Sequence, residues 1–302
     1  MSNPETSTEK RPLCYHVFAM QIKADFDQAW AVAQKESSAQ NFEVVEHGWE
    51  QHVLVDHEKN LVYRYPRNQN SANKLADEVG VLRALHDTTF NVAIPRLRDL
   101  TGGYAVYDYI PGDVLSEDGS LGLSDNQARE IGYDLGIFFG ILHACSPSIV
   151  NSKKTKQTTS LFEYYAERIE SAKDRDFYEK ARGLLLSLQP EAEKQAVVHG
   201  DLHGLNMVLD PISKKLTGII DFSELELGDP HQDLRKPFMT DGRFLEPMIT
   251  AYKNATGISL DPEKVRIWAY VNEWANIAYF NDQPSNPTYI RAQKHLRRWN
   301  QL

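Results

Sequence analysis

Between Ala196 and Asp233, three short apolar runs (Ala196-Val197-Val198, Met207-Val208-Leu209 and Leu216 to Ile220) each end in side chains that can do chemistry: His199 and Asp201, then Asp210, then Asp221. β-rich runs that stop at polar residues place those side chains in loops held by a rigid scaffold. Carboxylates in such loops suit metal and phosphate chemistry, because a hard cation such as Mg²⁺ prefers oxygen ligands. Each residue alone has a plainer explanation. Asp and Asn are turn formers, and Asp210-Pro211 reads as a hairpin turn. Turn chemistry does not explain why they recur in order, each at the end of an apolar run.

The spacing H-x-D-x-x-x-x-N, filled by His199, Asp201 and Asn206 and followed by a strand ending in Asp221-Phe222, matches the catalytic loop and metal-binding Asp of protein-kinase-like enzymes. The stretches HGDLHGLN and GIIDFSELELGDPHQDL resemble the aminoglycoside phosphotransferase and choline kinase superfamily, and are nearest in character to aminoglycoside and macrolide phosphotransferases. That superfamily replaces the Arg of the protein-kinase H-R-D with Gly and adds a second His. Gly200, His203 and Gly228-Asp229-Pro230 fit the variant. The resemblance implies transfer of the γ-phosphate of ATP or GTP to a substrate hydroxyl. Asp201 would take or orient the hydroxyl proton, His199 would brace the loop, and Asn206 and Asp221 would hold Mg²⁺ on the nucleotide phosphates. Glu224, Glu226 and Asp229, just past the metal Asp, would face the acceptor.

Stepping outward, the elements that must position these residues follow from periodicity. Asp25 to Gln34 has helical spacing behind a candidate N-cap. Three runs, FEVVEHGW, EQHVLVDH and NLVYRYPR, read as antiparallel strands separated by turn-prone residues. The turn Glu46-His47-Gly48-Trp49 sits where kinase-like enzymes cover the phosphates. In the third strand, Leu61, Tyr63 and Tyr65 share one face while Val62 and Arg64 share the other. Asn73 to His86 is helical, with Leu75, Val79, Leu82 and Leu85 on one stripe, and Glu78 falls on that stripe too. A buried acid wants a cation, and Arg64 is the candidate. The resemblance gives this pair a nucleotide-phosphate role, although the family has Lys where this chain has Arg64, and the two are not interchangeable. The alternative is an ordinary ion pair bracing helix to sheet.

Ile94 to Leu100, Gly102-Gly103 and Tyr104 to Ile110 read as a hairpin, and Tyr107 to Gly112 as a hinge. The resemblance makes Tyr107, Asp108 and Tyr109 the base-binding linker, acting through backbone groups. Ser124 and Gln127 form a capping box opening a helix that runs to His143, read as structural. Asn151 to Thr159 reads as a mobile polar stretch, with Leu161 to Ala172 and Phe177 to Leu188 as helices. Asp233 to Met239, Arg243 to Thr256, Pro262 to Tyr279 and Pro287 to Trp299 are helical segments, the third opened by Asp261-Pro262. On it, Glu273 lies among Trp268, Tyr270 and Trp274. Acids beside aromatics suit an amino sugar, whose ammonium groups pair with carboxylates, although aromatic stripes at helical spacing more often form core.

The fold these readings imply is α+β and bilobal, kinase-like, with an antiparallel-sheet N-terminal lobe over 1–110 (1–12 disordered) and a mainly helical C-terminal lobe over 111–302. The 302 residues, 41% hydrophobic, can build a sizeable core. No apolar run approaches the roughly 20 residues a membrane helix needs, and the opening residues do not read as a signal peptide. Cys14 and Cys145 are too few and too far apart for a disulfide framework. A cytoplasmic protein is expected. A net charge of −9 argues against nucleic-acid binding and mildly favours a cationic small molecule. The first acceptor is an aminoglycoside-type antibiotic, with macrolide, choline-like or sugar acceptors second. Two other classes compete: a metallohydrolase using His199, Asp201, His203 and Asp221 on a transition metal, and an inactive scaffold of the same fold.

Overall fold

A computed structural model describes residues 42–45, 51–101, 103–115, 122–150, 172–188 and 195–299. The expected helix at Asp25 to Gln34, the Glu46 to Trp49 turn, the Asn151 to Thr159 stretch and nearly all of the Leu161 to Ala172 helix lie outside them. The chain divides into two compact units, one comprising residues 1–88, 94–110 and 221–223, the other residues 89–93, 111–220 and 224–302.

The first unit is built on a five-stranded sheet in the order β1-β2-β3-β5-β4. Its strands are β1 (Phe42–Val45), β2 (Gln51–Asp56), β3 (Leu61–Pro66), β4 (Leu97–Thr101) and β5 (Tyr104–Asp108), and every neighbouring pair is antiparallel. The alternation in β3 is obeyed. Tyr63 and Tyr65 join Tyr104, Phe42, Val44 and Leu54 in a cluster, with the Tyr65 and Tyr104 rings 4.6 Å apart. Arg64, across from Val53 and Ala105, is on the opposite face. Between β3 and β4 runs α1 (Gln69–Ala84), burying Leu75, Glu78, Val79 and Leu82. It begins four residues before the expected Asn73 because Asn68 caps it, accepting the Ser71 N–H at 3.0 Å.

In the second unit, the capping box of Ser124 and Gln127 opens α2 (Asp125–His143) as the sequence implies. β6 (Asp113–Val114) pairs with β8 (Met207–Leu209), which pairs with β9 (Leu216–Ile219). β7 (Ala196–Val198) pairs with β10 (Glu226–Gly228). The remaining helices are α3 (Ala172–Ser187), α4 (Pro230–Thr240), α5 (Leu245–Thr256), α6 (Pro262–Tyr279) and α7 (Pro287–Trp299). α2 lies close against α5 through Gly136, where a Cβ would meet the Met248 carbonyl oxygen at 2.2 Å. α6 is the centre of the other core: Trp274 and Ile277 are fully buried among residues of α3 and α7, including Leu185 and Leu296. Burying one such side chain stabilises the unit by about 1.5–3 kcal/mol. α4 starts at Pro230, ahead of the expected Asp233, because Asp229-Pro230 caps it just as Asp261-Pro262 caps α6. α5 starts at Leu245, preceded by a single 3₁₀ turn at Gly242–Phe244.

Candidate active site

β7 delivers His199, Gly200 and Asp201, and the chain then passes through a 3₁₀ turn, Gly204–Asn206, into β8. Gly200 has φ +80°, and a Cβ there would stand 2.7 Å from the Glu224 carbonyl oxygen. A side chain at this position therefore meets both backbone strain and a close contact. That is a physical reason for Gly in place of Arg in this loop. Asn206, buried, donates its amide to the Asp201 carbonyl at 2.9 Å, which leaves the amide oxygen as the end available to a cation.

The loop is held from α4. Asp233, almost fully buried, accepts the N–H groups of His199 at 2.7 Å and Gly200 at 2.8 Å. Its second partner set is His143 at the end of α2, whose Nε2 lies 3.0 Å from Asp233 Oδ2 and whose Nδ1 lies 3.2 Å from the Tyr252 hydroxyl. His143 is structural, as expected, but as a link between helices rather than as a helix cap. Burial pushes the Asp233 carboxyl up, yet the His143 hydrogen bond, the charges of His143 and His199 and the Gly200 amide outweigh it and hold the group below its ordinary value. Arg235 donates to the Gly200 carbonyl at 2.9 Å and to Asn272 Oδ1 at 3.2 Å. Lys236 pairs directly with the Asp201 carboxylate, and the His203 ring stands 3.9 Å from the same carboxylate. His199 is fully buried and serves the loop from inside.

Asp233, Arg235 and Lys236 were not among the expected site residues. Their signal was present in the sequence: D-L-R-K, directly after the helix-opening Asp-Pro, sets an acid and two cations within one turn.

In the first unit, Arg64 Nη1 donates to both Glu78 oxygens, at 2.6 and 2.8 Å. Glu78 is fully buried and also accepts the Phe222 N–H at 3.2 Å, while Arg64 lies 3.9 Å from Asp221. Burial would lower Arg64's affinity for its proton, but Glu78 and then Asp221 more than offset it, so the guanidinium stays charged. Burial pushes the Glu78 carboxyl above its ordinary value, with Arg64 pulling it back in part. Asp221 has φ +64°, rare outside glycine, and a side chain 37% exposed. Its carboxylate oxygen is the donor type a hard cation takes.

Several of the expected contact residues have partners inside the protein. The Asp108 and Tyr109 amides already donate to Arg96 and Asn60 carbonyls, both at 2.9 Å, and the Asp108 side chain pairs with Arg98. In this structure both N–H groups are used inside the first unit. Tyr107 is buried, its ring under Arg64 at 5.9 Å, and burial first and the Glu78 charge next push its hydroxyl well up. Glu273, fully buried, accepts from Asn276 at 2.8 Å and pairs with His295 at 2.5 Å. It belongs to the core, the alternative already recognised for its aromatic stripe. Asp229 caps α4 and accepts the Trp268 indole N–H at 3.1 Å, and Glu226 accepts from Gln232 at 3.3 Å. Burial raises the Glu226 carboxyl, with Arg235 opposing it. Of the four acids expected to receive an acceptor, three are engaged internally, and Glu224 is half-buried.

Among the described residues, no group of three or more His, Cys, Asp and Glu side chains is placed to hold a metal ion. No helix among them is long and apolar enough to cross a membrane.

With this geometry in place, the sequence model of the phosphotransferase enzyme family matches residues 41–268. The chain belongs to that family. An aminoglycoside 3'-phosphotransferase from Streptomyces fradiae is 27% identical over 179 residues, covering 55% of this chain and 64% of that protein. The chain spans less than two thirds of the length of the curated relatives it matches. Among solved structures, the GDP complex of aminoglycoside 2'-phosphotransferase-IIIa superposes with a TM-score of 0.72 at 18% identity, over 91% of this chain and 98% of that one. A macrolide 2'-phosphotransferase type I does so with a TM-score of 0.63 at 18% identity, over 91% and 97%. At such identities the likeness establishes the kinase-like fold of this phosphotransferase-family chain, an antiparallel sheet followed by a helical region.

Proposed function

We propose that the chain is a small-molecule kinase, transferring the γ-phosphate of ATP or GTP to a hydroxyl group. The observation that carries this is the Asp201 loop: a half-exposed carboxylate on a backbone fixed by Asp233, Arg235 and Asn206. Positioning of that kind is what phosphoryl transfer asks of a protein, since the loose transition state needs little covalent help. The acceptor oxygen bonds to the γ-phosphorus, its proton passes to Asp201, and the bridging oxygen departs with the nucleoside diphosphate.

Asn206 and Asp221 are the proposed ligands for Mg²⁺. The Asn206 amide is turned so that its oxygen remains available, and Asp221 offers a carboxylate, which fits a hard cation. When bound, Mg²⁺ would neutralise charge on the phosphates. Arg64 is the proposed contact for the nucleotide phosphates, in the role the family gives a lysine, and its hydrogen bonds to Glu78 support an oriented guanidinium.

The relatives' names suggest an aminoglycoside-type antibiotic as acceptor, with macrolide, choline-like and sugar acceptors as the second reading. The inward-turned Glu226, Asp229 and Glu273 give a polycation little to bind. The deciding experiment is a phosphorylation screen across aminoglycosides, macrolides, amino alcohols and sugars with Mg-ATP and Mg-GTP, read by mass of the product. Phosphorylated acceptor is the expected result. A protein that binds neither Mg-nucleotide in calorimetry overturns the reading.

A further inference from the structure

The second unit contains a pocket of about 130 Å³ whose wall includes His203, Lys236, Thr240, Asn272, Asn276 and Arg291. Three elements supply its helical wall: Lys236 and Thr240 lie one turn apart on α4, Asn272 and Asn276 one turn apart on α6, and Arg291 is on α7. Two side chains on this wall carry permanent positive charge, one of them Lys236, which is paired with the Asp201 carboxylate, and among the described residues no carboxylate is itself part of the lining.

The neutral side chains are already oriented. Asn272 has its oxygen on Arg235, so the end it keeps for a ligand is the NH₂ donor. Asn276 gives its NH₂ to buried Glu273, itself anchored by His295, so its oxygen is a fixed acceptor. His203 accepts the Leu205 N–H at Nδ1, 3.2 Å away, which puts its proton on Nε2, the ring nitrogen 3.9 Å from the Asp201 carboxylate. The wall is thus donor-rich and cationic, the reverse of a site for ammonium groups. It is also joined to the reaction centre, because Lys236 is the residue paired with Asp201.

We propose that this pocket takes an acceptor carrying an anionic group, a carboxylate or a phosphate, close to the hydroxyl that is phosphorylated. The anion lies against Lys236 and Arg291, with Asn272 and His203 donating to its oxygens. Contact with Lys236 draws that cation toward the substrate and opens Asp201 to the hydroxyl proton. This rests on the kinase reading above, since it names the acceptor class for the same Asp201 centre.

The test uses the full chain with Mg-ATP and Mg-GTP, and a matched set of acceptors: gluconate, glucose 6-phosphate, glucose, glucosamine and kanamycin. Turnover is read by nucleoside diphosphate release and product mass. The anionic members are expected to exceed glucose in kcat/KM by about tenfold or more, with kanamycin last. Which of gluconate and glucose 6-phosphate leads then distinguishes a carboxylate site from a phosphate site. Arg291→Glu is expected to lower the anionic acceptors by about 10- to 100-fold and to raise glucosamine relative to them. Arg291→Met, which keeps the length of the side chain, serves if the reversal does not fold.

A second readout needs no turnover. Inorganic phosphate and acetate, added at constant ionic strength, should raise the melting temperature of the unaltered chain and not that of either Arg291 variant. Equal transfer to kanamycin or glucose, or anion-induced shifts that survive loss of Arg291, overturns the anionic pocket while leaving the kinase intact. No transfer to any acceptor, with no Mg-nucleotide binding, overturns the kinase reading instead, and the melting shifts then judge the pocket alone.

Discussion

Arg64 with Glu78 in the first unit and Lys236 with Asp201 in the second are both cation–carboxylate pairs, yet the fold treats them oppositely. The Glu78 side chain is wholly buried and that of Arg64 is 16% exposed. Asp201 is 29% and Lys236 22% exposed. The buried pair is bidentate and carries the extra Phe222 amide, the satisfaction a desolvated charge requires. The partly exposed pair is open to water at both side chains and can be exchanged for substrate at small cost. The sealed pair therefore keeps Arg64 in a fixed orientation, and the open one can release its carboxylate to take a proton.

The largest effect should come from breaking the sealed pair. Glu78→Ala leaves the Arg64 guanidinium buried without its main partner, and unfolding by urea should show a loss of about 3–5 kcal/mol. A loss under about 1 kcal/mol would mean that water reaches Arg64, and the contrast between the two pairs would disappear. Asp201→Asn should do the reverse. Turnover should fall by about 10² or more, with nucleotide binding nearly intact and the unfolding midpoint shifted by less than about 1 kcal/mol. Full phosphoryl transfer by this variant would remove Asp201 from its role.

Asp233 sits between these extremes, a buried carboxylate serving the exposed one. Its folded-state pKa lies below the ordinary 3.8, so its stabilisation is present above that pH and is lost as pH falls through the folded value. Acid titration of the melting temperature should show this decline. Asp233→Asn should be less stable by about 1–3 kcal/mol at pH 7, from weaker bonds to the loop amides and His143. It should also be flatter below pH 4. A variant with the same acid limb as the parent would place the sensitivity elsewhere.

What the sequence disclosed, and what it hid, follows the same division. Periodicity and caps located α6 residue for residue, because Asp261-Pro262 marks its start and the apolar spacing continues to Tyr279. The start of α1 was read late because Gln69 to Ala72 carry no apolar stripe, and only Asn68 announces them. Arg64 and Glu78 could be paired in advance, since alternation in a strand and spacing on a helix fix which faces meet. The internal partners of the acids expected at an acceptor were hidden because burial depends on tertiary contacts. Nothing local to Glu273 reveals His295, or to Asp229 the Trp268 indole. The brace from α4 was overlooked for the same reason, although D-L-R-K stood in plain view.

The smallest effect is the sharpest test of the contrast. Lys236→Met deletes the cation beside Asp201 but leaves the backbone brace of Asp233 and Arg235 in place. Since both side chains of the pair are partly exposed, stability should change by less than about 1 kcal/mol, and rising salt should shrink even that difference because water and ions screen the pair. If Lys236→Met instead unfolds as readily as Glu78→Ala, the Asp201 pair is as structural as the one around Glu78. The carboxylate would then be tied up holding the loop, with no freedom to take a proton.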